Sequence, residues 1–236
     1  METKRPTVPA AEEILGGYFP VLDHGFVSLV DYMGGDDSIE RAARVSYGYG
    51  TRQSSQTRGL IRYLRRHRHT TPSEMVELKF HCAMPMFVAR QWIRHRTANV
   101  NEYSARYSVV RDRFYKPARE DIKIQSATNR QGREELADDA TAGAFLGHLE
   151  KIEQEQYEAY ERFIEAGMAR ELARVALPVN VYTEWYWKCD LHNILRFLSL
   201  RMDSHAQIEI RRYADAMFQL LEPIVPITME AWRDYE

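Results

Sequence analysis

"VELKFHCAMPMFVARQWIRHR", residues 76–96, carries two periodicities in succession, and the switch between them decides the fold. Val76, Leu78, Phe80, Cys82 and Met84 alternate with Glu77, Lys79, His81 and Ala83. A period of two predicts a strand over 76–84 with one face on the core. Pro85 ends it. From Met86 the pattern turns helical, with Ala89, Trp92 and Ile93 on one face and Arg90, Gln91 and Arg94 on another. The basic run Arg94-His95-Arg96 therefore leaves the last turn of a buried helix, and residues up to 107 are expected to continue as a loop.

Working outward, "GFVSLVDYMGG" predicts a first strand through Phe26–Val30. "DDSIERAARVSYG" predicts a short helix capped by Asp37 or Ser38, and the glycines and serines of 48–55 a loop. Leu60, Ile61 and Leu64 form a helical stripe that ends in "RRHRH". Residues 118–140 read as a polar surface excursion. Phe145, Leu149, Ile152, Tyr160, Phe163 and Ile164 recur at three- and four-residue spacing and predict a long helix closed by Gly167. "ARELARVALP" predicts a shorter helix stopped by Pro178. "VNVYTEWYWKCD" is β-branched and aromatic and predicts a strand. Leu191, Ile194, Leu195 and Leu198 predict another helix. "SHAQ" at 204–207 has the form of a capping box and opens a final helix through Leu221. The expectation is one α+β domain, 21–236, with an antiparallel-rich sheet and several long helices, preceded by a loose N-terminal extension over 1–20.

The totals narrow the function. The 236 residues are 44% hydrophobic and 28% charged with a formal net charge of -2, which describes a globular chain and not a polycation built to coat nucleic acid. Cys82 and Cys189 are distant and form no CxxC pair, so neither a disulfide scaffold nor a cysteine zinc site is expected. No apolar run reaches a membrane span, and the first residues lack the apolar core of a signal peptide. A cytoplasmic enzyme is the expectation. His67 and His69 have no carboxylate or cysteine at ligand spacing, and no metal is expected.

Residues 90–113 hold six arginines against Glu102 and Asp112, a local formal charge of +4. A second basic set lies far along the chain: Arg170 and Arg174 four apart, then His192, Arg196 and Ser199 on one helix face, then Arg201. Forked guanidiniums bind phosphates and carbonyl-bearing rings in a bidentate manner. Taken singly, each such residue is equally well explained by a surface ion pair. Together, each opposite an apolar stripe, they predict a positively lined pocket. Their interleaving with aromatics in "RQWIRHR" leaves a nucleic-acid-binding module as the competing reading.

Six blocks then fall in one order: "RAARVSY" (41–47), "HTTPSE" (69–74), "FVARQWIRHR" (87–96), "NEYSARYS" (101–108), "LARVALPVNVYTEWYW" (172–187) and "LRMDSHAQIEI" (200–210). In these the chain, over roughly 21–225, resembles the flavin-dependent thymidylate synthases. Met75 stands where that family often has histidine, and Asp190 and Arg196 where some members carry asparagine. The resemblance implies an α+β fold, a homotetramer with sites shared between subunits, and conversion of dUMP to dTMP. Methylenetetrahydrofolate would supply the carbon, and NADPH the hydride through FAD. It assigns dUMP binding to Gln91, Arg94, Glu102, Ser104, Ala105, Arg106, Arg174 and Arg201, with Arg201 catalytic. It assigns FAD to Ser46, His69, Thr71, Arg94, His95, Arg96, Glu102, Asp190, His192 and Arg196. Neither cysteine is expected to act as a nucleophile, since Cys82 alternates with core residues and Cys189 adjoins Asp190.

Overall fold

The computed structural model describes residues 5–46 and 57–236. The loop expected over 48–55 lies outside the described residues. At the centre is the predicted strand, β3 (Glu77–Pro85), third in a five-stranded antiparallel sheet. The sheet runs β1 (Phe19–Val21), β2 (Gly25–Met33), β3, β7 (Tyr182–Asp190), β4 (Asn99–Glu102). Between β4 and β7 in the chain, β5 (Lys123–Gln125) and β6 (Arg133–Leu136) form a separate hairpin within the predicted excursion.

The period of two is realised in side-chain placement. Leu78, Phe80, Cys82 and Met84 are buried, while Glu77, Lys79 and His81 face outward to Lys188, Asp31 and Glu184. The register sets Phe80 opposite Trp187 and Cys82 opposite Trp185. Against this inner face pack α5 (Met86–Trp92), α8 (Leu191–Arg201) and α9 (Ile208–Ile224). Trp92 is fully buried where they meet. Its ring stacks on Phe197 at 4.9 Å and meets Trp185, Trp187 and Tyr213 at 5.6, 5.6 and 5.8 Å between centroids. Such pairs contribute beyond their area. Tyr213 donates its hydroxyl to the Ala83 carbonyl at 2.8 Å, and a Cβ at Gly25 would lie 2.0 Å from that hydroxyl, so the residue there must be glycine.

Pro85 makes the strand-to-helix turn, and the first α5 amides, of Met86 and Phe87, donate to the Val181 and Val179 carbonyls at 2.9 and 3.0 Å. The remaining helices are α1 (Pro9–Ile14), α2 (Asp36–Val45), α3 (Thr57–Arg66), α4 (Thr71–Glu74), α6 (Asp139–Glu165), α7 (Arg170–Ala173) and α10 (Pro226–Tyr235). No described helix is long and apolar enough to cross a membrane.

Several expectations change. The N-terminal residues are not loose from Val8 onward, because α1 packs on α9 and buries Ala11 completely. Residues 99–102 are not loop; they pair with the free edge of β7. The "SHAQ" capping box does not form: Gln207 is itself the N-cap of α9, and its side chain turns elsewhere. That helix is followed by another, α10, whose first amides, of Ile227 and Thr228, donate to buried Asp36 of α2 at 2.8 and 3.1 Å. Asp36 thus caps α10, and α2 begins from Gly35 rather than from Asp37 or Ser38. Ile93, Phe145 and Phe163, placed on buried stripes, are exposed.

Replacing Trp92 with alanine removes the common contact of α5, β7, α8 and α9. Denaturant unfolding should show a loss of about 3–5 kcal/mol.

Candidate functional site

Because Trp92 anchors the end of α5, the three residues after Ile93 leave the core at a fixed point. Because β7 runs straight into α8, the basic residues of α8 arrive beside them. Asp190 makes that junction: its carboxylate accepts from the Asn193 amide at 2.9 Å and from Asn193 Nδ2 at 2.8 Å, an N-cap. The result is a pocket of about 250 Å³ lined by Arg94, His95, Arg96, Arg196 and Arg201, with Thr97, Cys189 and Asn193.

Inside it Arg201 Nε donates to His95 Nε2 at 2.9 Å, and Arg201 Nη2 reaches the Gln91 carbonyl at 3.4 Å. Accepting at Nε2 requires a neutral imidazole with its proton on Nδ1. Burial holds the His95 pKa down to about 4, and the Arg201 and Arg196 charges add to this. Burial also lowers the Arg201 pKa. The guanidinium is thereby held at Nε by His95 and at Nη2 by the Gln91 main-chain carbonyl, and Arg201 lines the pocket.

Cys189 also lines this pocket, yet it is buried and its Sγ donates to the Thr97 carbonyl at 3.0 Å. Burial and then Asp190 raise its pKa; burial does the same for Cys82. Burial and a raised pKa disfavour the thiolate form at both.

A second cleft, about 600 Å³, holds Ser46, His69 and Thr71 among Val45, Leu60, Tyr63, Pro72 and Met75. Its walls are α2, α3 and α4, and α4 packs on α8. His192 lies at the start of α8, and its Nδ1 is buried without a partner among the described residues. These features fit a flavin nucleotide. The cleft offers apolar and ring-bearing walls, the forked guanidiniums of the arginine pocket suit a phosphate, and the His192 Nδ1 suits a hydrogen-bonding group.

The third group is not brought to these two. Glu102 ends β4 and accepts from Thr183 Oγ1 at 2.7 Å. Ser104, Ala105 and Arg106 form the turn that follows, with Arg106 paired to Glu171 at 3.0 Å. Arg174 is exposed after α7, beside Leu172 and Val175, which are 62% and 76% exposed. Gln91 points from α5 toward Gln207. Sequence reasoning missed Gln207, Asn193 and Thr183, which touch the assigned Gln91, Asp190 and Glu102, and Glu209, which touches Gln207; only the capping-box form of "SHAQ" had drawn attention to one of them. Trp92 and Trp185, by contrast, are buried and cannot offer a stacking platform for bases, and Arg62 and Arg65 of the basic α3 run are paired with Asp234 and Glu236.

His95 should remain neutral in the folded protein well below the ordinary histidine range. Its folded pKa is depressed, so the unfolded chain binds the extra proton first. The associated stability, on the order of 2 kcal/mol for a partly exposed group, is complete above about pH 6.5 and is lost as pH falls toward 4. An NMR titration of the imidazole, with unfolding followed over the same range, measures both.

The family described as "Thymidylate synthase complementing protein" matches residues 28–227. A protein of Dictyostelium discoideum named flavin-dependent thymidylate synthase is 59% identical over 223 residues, 91% of this chain and 73% of that protein. One of the same name from Gluconobacter oxydans is 54% identical over 236 residues, 99% of this chain and 78% of that protein. Among solved structures, a UMP/dUMP methylase from Streptomyces cacaoi, bound with 5-Br UMP, superposes with a TM-score of 0.83 at 33% identity, covering 92% of this chain and 97% of that one.

Proposed function

This chain belongs to the flavin-dependent thymidylate synthase family, and from that membership we infer how its own residues divide the reaction. Its activity is the synthesis of thymidylate. In our reading the flavin is FAD, the reductant NADPH and the carbon donor methylenetetrahydrofolate. Bound flavin supplies hydride transfer, and the protein's part is binding, orientation and electrostatics. Ser46, His69 and Thr71 would hold it from the cleft, with Arg94, His95, Arg96 and Arg196 in the arginine pocket. Glu102 and His192 would contribute further contacts. Asp190 would contribute chiefly through the start of α8, since both its carboxylate oxygens accept from Asn193.

The nucleotide would be held by Gln91, Arg94, Glu102, Ser104, Ala105, Arg106, Arg174 and Arg201. Making C5 of the uracil ring nucleophilic requires charge to build on the ring's carbonyl and nitrogen. A guanidinium beside that edge in a pocket of low dielectric stabilises it as an oxyanion donor would. The observation that carries this assignment is the Arg201–His95 hydrogen bond. A neutral imidazole that accepts from Nε fixes the plane of the fork and adds no positive charge of its own.

Two observations support a homotetramer with shared sites. The nucleotide residues of one chain fall in separate places, with Arg106 and Arg174 away from the arginine pocket. Large apolar side chains flank them in the open: Val175 and Val179 near Arg174, and Leu200 beside Arg201. Exposed apolar surface beside functional groups is what a symmetric partner covers. A cytoplasmic location accords with two free cysteines.

Purified protein should be yellow with a flavin spectrum and scatter light as a tetramer. A stable, colourless monomer that takes up no added FAD contradicts the proposal.

Arg201→Lys keeps the charge but cannot both meet His95 and present a planar pair of donors. Turnover of dUMP should fall on the order of 10²-fold or more, with flavin content unchanged. Unaltered dTMP formation in this variant removes Arg201 from the chemistry.

A further inference from the structure

Glu209 is a buried carboxylate, 2% exposed, that none of the roles above employs. It sits in the first turn of α9, where a negative charge is favoured. Arg133 of β6 pairs with its Oε1 at 2.5 Å, and the Tyr115 hydroxyl donates to the same oxygen at 3.1 Å. Burial pushes its pKa up, but the Arg133 charge and the donors around it outweigh burial and hold it below the usual carboxylate range. Its other oxygen, Oε2, accepts from Gln207 Nε2 at 2.8 Å. Gln207 in turn accepts, at Oε1, from Gln91 Nε2.

The two ends of a glutamine amide are alike in size and opposite in hydrogen bonding, so partners alone decide which way each end points. A carboxylate can only accept. Gln207 must therefore turn its Nε2 toward Glu209, which leaves its Oε1 toward Gln91. Gln91 must then donate with Nε2, and its own Oε1 is left over. Among the described residues nothing donates to it. Were either amide reversed, two acceptors or two donors would face each other in a partly buried site.

We propose that Gln207 and Glu209 are positioning residues that fix the Gln91 amide so that it presents a carbonyl oxygen, an acceptor, to the nucleotide. The proposal rests on the reading of Gln91 as a dUMP contact. It makes the site select for a nucleotide that offers a hydrogen-bond donor at that point. It also ties the β5–β6 hairpin, through Arg133, to the substrate pocket.

The test is a double-mutant cycle on the flavin-loaded enzyme, with dUMP affinity read from the flavin absorbance. Gln207→Met keeps the side chain's length and removes its polarity, freeing the Gln91 amide to turn. Loss of a preordered side chain should weaken dUMP binding roughly 3- to 10-fold, with a smaller effect on kcat than on KM. Gln91→Met should weaken it at least as much, and adding Gln207→Met to that variant should cost nothing further. Additive losses, as from a general structural role, overturn the proposal. So does unchanged affinity in Gln207→Met. Glu209→Gln, which removes the acceptor-only anchor, should behave as Gln207→Met does; should it not fold without its charge for Arg133, the cycle on 91 and 207 decides alone. The activity is judged separately, by whether the parent enzyme binds and converts dUMP. If it does neither, the relay is still decided by NMR: the side-chain amide signals of Gln91 must shift in Gln207→Met if Gln91 donates there, and signals that stay in place overturn it.

Discussion

The indole of Trp92 is the contact on which the rest of this structure depends. One ring touches β7 through Trp185 and Trp187, α8 through Phe197, and α9 through Tyr213. Each of these elements carries at one end a candidate site residue or one placed behind it, with Asp190 closing β7. The turn after α5 releases Arg94, His95 and Arg96; α8 ends in Arg201; α9 begins at Gln207 and Glu209. A close-packed aromatic cluster holds its neighbours to within fractions of an ångström. The basic groups can therefore be gathered by helices whose shared contact is an aromatic one.

What is gathered is a concentration of like charge, which is unfavourable until an anion arrives. The fold moderates it without acids inside the pocket. His95 is kept neutral by burial and by the arginines themselves, so it contributes an acceptor and no charge. Asp190 is adjacent, yet its carboxylate is engaged at the α8 cap and leaves the guanidiniums available. A phosphate or an ionised ring entering such a place meets donors already oriented, which is the condition for strong electrostatic stabilisation.

Much of this was legible in the sequence where one physical rule dominates. Strand β3 and helices α5 and α8 follow from periodicity, because one face of each is buried by the same chain. Strand β4 was not legible: Asn99, Val100, Asn101 and Glu102 are all exposed, and they are strand only because the edge of β7 lies within reach. The capping box at 204–207 failed for a related reason, since a buried carboxylate two residues on competes for Gln207 and wins. Phe145 and Phe163 match a buried stripe that this chain alone does not cover. Candidate site residues could be put forward by type and by resemblance. Their division into a cleft, a pocket and an open turn was not, because it depends on how separate segments meet.

The sheet order carries one more consequence. β4 has a single partner strand, β7, and Asn99 and Glu102 pair with Lys188 and Trp185 far downstream. β3 likewise waits for β7 on one side, with Glu77 opposite Asp190. Contacts so distant in sequence close large loops and form slowly. During synthesis the N-terminal half can pair β1, β2 and β3, but Arg94 to Glu102 has no edge to rest on until residues 182–190 have emerged. The surface proposed to bind the substrate is thus among the last parts of the molecule to take shape, and a nascent chain remains without it through most of its own translation.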